Sequence, residues 1–258
     1  SFMLIDLHVH TSRYSPCGKS SPEDMMRRAV EIGLDGVVLT EHNVVWPEDE
    51  AAALQAQFPL VRIYRGIEVT VDTGDHYLVY GLTDPAAFEN KMPSAQLMRR
   101  VRAAGAAAVL AHPYRYGPDV PDTLEDHPVD AIEIHSNNIL TYAHVKAVAL
   151  CNRLGVRPIA SSDGHRVGTL GLYAVRLNHN HVADERALAR AISAGDYTLY
   201  ADSDRIAAQN ADLPETIEQV SALVAAGRTN DEIHRALGLG YTVIRGVRDG
   251  LDVSYPSP

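Results

Sequence analysis

His8 and His10 close the apolar run Ile5-Asp6-Leu7-His8-Val9-His10 with a spacing of i, i+2. In a β-strand that spacing sends both imidazoles to one face. Two imidazoles converging at a strand end are half of a metal site. Alone, the pair would fit a half-buried strand that happens to carry polar residues. Later apolar runs, however, end in Thr40-Glu41-His42, Gly66-Ile67-Glu68, His112-Pro113, Glu133-Ile134-His135 and Asp163-Gly164-His165, two of them repeating the i, i+2 geometry. His8, His10, His42, Glu68, His112, His135, Asp163 and His165 are therefore the candidate site residues, with Glu41 as support beside His42. Imidazole mixed with carboxylate suits zinc, manganese or iron rather than calcium, which wants oxygen alone. Eight such groups exceed the four of a closed structural zinc site and imply two or three divalent ions with bridging ligands. Of the other histidines only His76, which starts a strand just after the Glu68 segment, is a candidate to touch substrate or metal.

The elements that must position these groups are read from periodicity. Strands are expected at 4–10, 36–42, 61–71, 76–82, 107–113, 131–135, 156–163 and 172–177, and helices at 21–32, 47–57, 94–104, 144–154 and 183–194. Ser21-Pro22-Glu23-Asp24 opens the first helix with an N-cap serine, an N1 proline and acids where the helix dipole favours them. Fully apolar strands alternating with helices predict a mainly parallel sheet, most simply closed as a barrel. The antiparallel-looking pair over 61–82 predicts that the barrel is irregular. Polar groups at the C-terminal strand ends are where such barrels do chemistry.

Composition narrows the function. The chain has 258 residues, with 23 Lys plus Arg against 33 Asp plus Glu, a formal charge of −10. That balance disfavours nucleic acid and anionic membranes as broad electrostatic partners. No run approaches the roughly 18 apolar residues of a membrane span. Two cysteines, Cys17 and Cys151, make a disulfide framework unexpected and a reducing cytoplasm the default.

The ordered series His8-Val9-His10, Thr40-Glu41-His42, Gly66-Ile67-Glu68, His112-Pro113, Glu133-Ile134-His135 and Ser162-Asp163-Gly164-His165 resembles the motifs of the polymerase and histidinol phosphatase (PHP) domain family over roughly residues 4 to 200. The resemblance implies an α/β fold, an irregular (β/α)7 TIM-like barrel, with up to three metal ions at its C-terminal face and hydrolysis of phosphoesters. It also implies that all eight strand-end residues are metal ligands, Glu68 as a bridge, with Glu68, His112 and Asp163 at the reacting centre. Relatives usually carry Asp where this chain has Glu41, and an Asp or His in the loop where it has Cys17. Cys17 is either a thiolate ligand to a third ion or an ordinary buried thiol.

The expected function is a metal-dependent hydrolase of phosphomonoesters or phosphodiesters of a small phosphorylated molecule, with a metal-bridging hydroxide as nucleophile. Arg115, Arg166 and His76 are the candidate substrate contacts, since a guanidinium fork suits phosphate, and Lys19 is a weaker one. Amidohydrolase-type attack on a carbonyl is the alternative within enzymes.

The barrel is expected over residues 3–205, followed by a helical appendage over 213–258. The run Leu223 to Arg245 resembles a helix-turn-helix of response-regulator type, whose second helix would start near Tyr241 and present Arg245 and Arg248. Residues 213–251 hold four Arg and no Lys against five acids, however, so packing on the barrel or self-association is favoured over DNA binding. A regulator that senses metal or ligand and binds DNA is the alternative from another functional class.

Overall fold

β1 (Met3–Val9) is the third strand from one edge of a nine-stranded sheet whose strands have the order β7-β6-β5-β4-β3-β2-β1-β8-β9. The computed structural model describes residues 2–257. In chain order β1 is followed by α1 (Pro22–Glu31), β2 (Gly36–Leu39), α2 (Glu48–Gln57), β3 (Arg62–Thr70), β4 (His76–Tyr80), α3 (Ser94–Ala103) and β5 (Ala107–Leu110). Then come β6 (Ala131–His135), α4 (Thr141–Leu154), β7 (Arg157–Ala160), β8 (Tyr173–Leu177), α5 (Glu185–Ala194), β9 (Tyr197–Ala201) and α6 (Ser203–Ala211). Helices α7 (Leu213–Ala225), α8 (Asn230–Leu237) and α9 (Tyr241–Arg248) complete it. No helix among the described residues is long and apolar enough to cross a membrane.

β1, β2 and β3 run parallel, as do β5, β6 and β7, while β4 is inserted antiparallel between the two sets. That is the irregularity expected from residues 61–82. The sheet curls into a nearly closed barrel, and Gly164, just past the edge strand β7, bridges to Val9 at the end of β1. His10 N–H donates to the Gly164 carbonyl (2.9 Å) and Gly164 N–H to the His8 carbonyl (3.1 Å). A Cβ at Gly164 would stand 2.7 Å from Ser162 Oγ, so the seam needs a residue without a side chain.

Ile5, Leu7, Val38, Leu78, Val109 and Ile159 belong to one buried cluster, which also takes in Leu188, Ala189 and Ile192 of α5. Tyr64 Oη donates to the Val182 carbonyl (2.8 Å) and Arg65 N–H to Glu185 (3.1 Å), which ties α5 and its lead-in to β3. On the outer face α1 and α2 bury Met25, Met26, Ala29, Ala51 and Leu54 against Val9, Val37, Leu39 and Ile63. Asp6 is a fully buried brace. Its carboxylate accepts the N–H groups of Ser162 (3.0 Å) and Gly171 (2.8 Å), tying the segment that carries Asp163 to β1. Asp6→Ala would leave those donors buried without an acceptor. It is expected to lower the unfolding free energy by about 3 kcal/mol, measurable by urea titration.

Three elements depart most from the sequence reading. β9 and α6 occupy a stretch expected to be connecting chain, and α6 buries Ile206 against Ala160, Leu172 and Tyr173. α4 also starts three residues earlier than expected, at Thr141. Its N-cap, Leu140, has no side-chain cap bond. Instead the N–H groups of Thr141 and Tyr142 donate to the carbonyls of Ser254 (2.8 Å) and Asp252 (3.2 Å). The end of the chain thereby satisfies donors that a helix start leaves orphaned.

α7, α8 and α9 share a small core of Val220, Ile233 and Ile244. The opposite side of α9 puts Val243 against Leu140 and Val253, and Gly246 sits where a Cβ would meet Val253 at 2.4 Å and the Tyr142 ring at 3.2 Å. Arg248 donates to Asn230 Oδ1 (3.0 Å) and the Arg228 carbonyl (2.8 Å), and Arg245 to the Arg115 carbonyl (3.5 Å). The face of the helix-turn-helix-like unit that carries Arg245 is thus turned toward the barrel.

Candidate metal centre

β1 delivers His8 and His10, both fully buried, with their Nε2 atoms 3.0 Å apart. What aims them is the partner on each Nδ1. His8 Nδ1 meets Glu133 Oε1 at 2.9 Å, while Glu133 also accepts the Ser161 hydroxyl and, through Oε2, the His112 N–H (2.8 Å). His10 Nδ1 lies 3.1 Å from Ser15 Oγ, and the Ser15 hydroxyl donates to Glu41. Glu41 further accepts the Thr11 N–H (3.1 Å) and Trp46 Nε1–H (3.1 Å). A carboxylate behind each Nδ1 fixes the ring orientation and leaves Nε2 facing inward, where a cation would compete with its proton. Ser15→Ala breaks the path from Glu41 to His10, and such outer partners are typically worth about 10–100-fold in metal affinity or activity. Metal titration of the variant checks this.

Glu68, at the end of β3, is the hub. Its Oε2 lies 3.0 Å from His10 Nε2, 3.0 Å from His42 Nδ1 and 3.3 Å from His8 Nε2. Its Oε1 lies 2.8 Å from His76 Nδ1 and 2.9 Å from His112 Nε2. Asp163 stands opposite, with Oδ1 3.2 Å from His8 Nε2, 3.3 Å from His10 Nε2 and 3.5 Å from His165 Nδ1. Burial pushes both carboxyls up, but the surrounding imidazoles outweigh it and hold Glu68 and Asp163 well below the ordinary carboxylate range. Burial likewise opposes protonation of His8, and Asp163, Glu68 and Glu133 reverse it, lifting its pKa well above that of free imidazole.

Glu68 Oε2 and Asp163 Oδ1 are buried with no hydrogen-bond partner. Buried carboxylate oxygens are costly to leave so, and these two point among imidazole nitrogens. That arrangement fits cations. Four sets of ligand atoms converge within 4.8 Å of one another: His10/His42/His165, His8/Glu68/His112, His8/His10/Asp163 and His42/Glu68/His76. The backbone bends to supply them. His112 and Asp163 adopt φ of 22° and 51°, sparsely populated values for residues with side chains, which collect at functional sites.

Seven of the eight strand-end residues are brought together, and His76 joins them. His135 is not. Its ring is stacked against His144 (centroids 4.5 Å) and Tyr173 (5.1 Å), where burial and the His144 charge press its pKa down to about 4. The reason is local: the pairing of β6 with β7 shifts register between Glu133 and His135, so the two do not share a face. Arg115 does reach the cluster, Nη1 being 3.4 Å from His112 Nε2 and 3.6 Å from Asp163 Oδ2. Arg166, on the loop after His165, and Lys19 are both exposed. Cys17 is exposed rather than buried. Some desolvation raises its thiol pKa, but contact with His165 and His42 brings it down to about 5.

Ser15, Ser161 and Asn138, whose Nδ2 donates to Asp163, carried no signal in the sequence: a lone serine or asparagine in a loop has no period or spacing to mark it. Glu133 did stand in an i, i+2 motif, yet its part as the acceptor behind His8 emerges only from the fold.

Comparisons with known proteins bear on the family and the fold. The sequence model of the PHP domain matches residues 6–192. An uncharacterised protein of Methanocaldococcus jannaschii, MJ1587, is 24% identical over 143 residues, which are 51% of this chain and 81% of that protein. Among solved structures, PsfC from Pseudomonas syringae superposes with a TM-score of 0.59 at 16% identity, covering 80% of this chain and 93% of PsfC. A two-domain protein of Bacteroides vulgatus containing a predicted PHP-like metal-dependent phosphoesterase gives 0.60 at 19% identity, covering 78% of this chain and 65% of that one.

Proposed function

Because this chain belongs to the PHP domain family, we propose that it is a metal-dependent hydrolase of phosphoester bonds in a small phosphorylated molecule. The observation that carries the reading is the pair of buried, unpartnered carboxylate oxygens of Glu68 and Asp163 among convergent imidazoles, with a guanidinium beside them. His8, His10, His42, Glu68, His76, His112, Asp163 and His165 would hold two or three zinc, manganese or iron ions. Such ions, when bound, acidify water to near-neutral pKa and neutralise charge on phosphoryl oxygens.

The chain's own groups do the rest. Glu133 and the Ser15–Glu41 pair hold the Nδ1 sides of His8 and His10, so that Nε2 of each is the atom aimed at the ions. Arg115 offers donors to the phosphoryl oxygens from beside His112 and Asp163. The exposed Tyr116 ring, 5.3 Å from His76 and 5.9 Å from His112, borders a cavity of about 470 Å³ between the 116–122 loop and the Thr73–Asp75 turn. That cavity suits the leaving group. His76 beside it would help hold an ion that neutralises charge on the leaving oxygen.

The test is turnover of a phosphomonoester, a phosphodiester and an amide panel with Mn²⁺ or Zn²⁺. Hydrolysis of a phosphoester that chelation abolishes supports the reading, whereas hydrolysis of amides alone overturns it. DNA recognition through α9 is disfavoured by the burial of Thr242, Val243, Ile244 and Gly246. A low-salt gel shift with no retarded duplex is the expected result.

A further inference from the structure

We propose that α9 adds a second anion-binding position to the mouth of the metal centre, formed by Arg245 with Arg115, and that the substrate therefore carries a second phosphate or a carboxylate besides the ester that is cleaved. The substrate class rests on the phosphoester reading above; the anion-binding position itself does not.

Arg245 is half-buried on the face of α9 that meets the barrel, and among the described residues it makes no ion pair. Comparably half-buried arginines are compensated: Arg28, Arg65, Arg100 and Arg205 lie 3.3, 3.7, 2.7 and 3.6 Å from carboxylates of Glu31, Glu185, Glu89 and Asp202, and Arg176, which has no ion pair among the described residues, lies over the rings of Phe2 (5.3 Å) and Tyr200 (4.6 Å). In a chain of net charge −10, an uncompensated guanidinium held out of water is a specific exception. Its one protein hydrogen bond is long, 3.5 Å to the Arg115 carbonyl. Four of its five donor hydrogens are left for other use.

Arg115 brings a second positive charge to the same place. Its side chain runs from the carbonyl that Arg245 touches to His112 and Asp163, so Arg245 sits about one arginine's reach from the cluster. Arg115 Nε is buried with no partner. The Arg115 guanidinium lies 5.2 Å from the centre of the exposed Tyr116 ring and Arg245 reaches the backbone of the same Arg115, which brings the two charges to one rim. Like charges so arranged repel, and a bound anion relieves both the repulsion and the unmade hydrogen bonds.

The position is also held in register with the reacting centre. Gly246 lets α9 lie directly on Tyr142, and Thr242 Oγ1 donates to Asn138 Oδ1 (3.4 Å), whose amide donates to Asp163. A helix fixed by that path can read a group one fixed distance from the scissile phosphate. The family match ends at residue 192, so Arg245 lies outside the matched region and its part in the position would be particular to chains with such an appendage.

The experiment compares three phosphomonoesters of one backbone with manganese-loaded enzyme: the monophosphate and the bisphosphate of propane-1,3-diol, and phosphorylated 3-hydroxypropionate. The wild type is expected to favour one doubly anionic substrate over the monophosphate by at least about tenfold in kcat/KM, the worth of one charge-assisted hydrogen bond. Preference for the bisphosphate or for the carboxylate tells which anion the position takes. Arg245→Gln should collapse that ratio toward one through KM, and Arg245→Lys should restore part of it. An unchanged ratio in Arg245→Gln overturns the proposal. In parallel, binding of methylenebisphosphonate is followed by calorimetry. If its affinity drops in Arg245→Gln while no phosphoester is turned over by the wild type, the anion position stands and the phosphoesterase reading fails. If the affinity is the same in wild type and variant, the anion position fails, whatever the hydrolysis.

Discussion

Glu68→Gln is expected to eliminate phosphoester hydrolysis, with a loss well beyond the roughly 10–100-fold typical of an outer ligand partner, and to lower bound metal in the same preparation. Five imidazoles lie within 3.3 Å of its two oxygens, those of His8, His10, His42, His76 and His112. An amide keeps one acceptor oxygen and turns an NH2 toward nitrogens that should present lone pairs to a cation. It also removes the negative charge that lets one carboxylate bridge two ions. The fold should survive, since Glu68 is held by backbone pairing to β4 and to His42 as well as by its side chain. His8→Ala and Asp163→Ala should behave alike, each removing a group shared by two of the four ligand sets or facing both β1 imidazoles. Circular dichroism, metal content and kcat measured on the same samples separate loss of the site from loss of the fold. Wild-type turnover by any of the three variants would contradict the assignment.

Chelation is expected to lower Tm as well as activity. Ions bound only to the native state stabilise by about 2.7 kcal/mol at a hundredfold excess over Kd, roughly 5–10 °C for a domain of this size. The shift should depend on pH with a definite sign. In the metal-free protein burial opposes charge on His42, but Glu68 and the Cys17 thiol lift its pKa to about 10. A raised imidazole pKa contributes stability that is fully present below the unfolded value near 6.5 and is lost as pH rises toward the folded one. Protonated imidazoles thus partly substitute for the missing ions at low pH. The Tm difference between metal-loaded and chelated protein should therefore widen from pH 6.5 toward pH 9, because metal competes with those protons. Differential scanning calorimetry across that range checks it. A difference that narrows with pH would mean that the imidazoles are not the ligands.

Much of the centre was legible because strand geometry is periodic. His8 and His10 share a face for the reason expected, and the run of strand-end His, Glu and Asp motifs marked the correct end of the barrel. His135 shows where the rule fails. Alternation assumes an unbroken ladder, and the register shift in β6 sends Glu133 to His8 while His135 turns to Tyr173. Asp163 and His165 reach the site by another route than the expected one. They lie beyond β7 in a turn with Asp163 at positive φ, so their spacing matched a strand that had already ended.

β9 and α6 were missed because Tyr197–Ala201 has no polar alternation and the nine residues of α6 bury only Ile206. The charge balance of residues 213–251 favoured packing on the barrel or self-association over DNA binding, but the spacing did not choose between the first two. A second copy and the barrel demand the same apolar spacing, and only the fold shows Gly246 against Tyr142. Cys17 was undecidable for a similar reason: proximity in a loop says nothing of which way a thiol points.

The most direct test of the central claim is elemental analysis of protein purified without chelator. The arrangement of Glu68 and Asp163 among His8, His10, His42, His76, His112 and His165 predicts two or three equivalents of zinc, manganese or iron per chain. The same preparation of Asp163→Ala should hold fewer. A content below one ion per chain in the wild type, unchanged after incubation with each metal, would contradict the account.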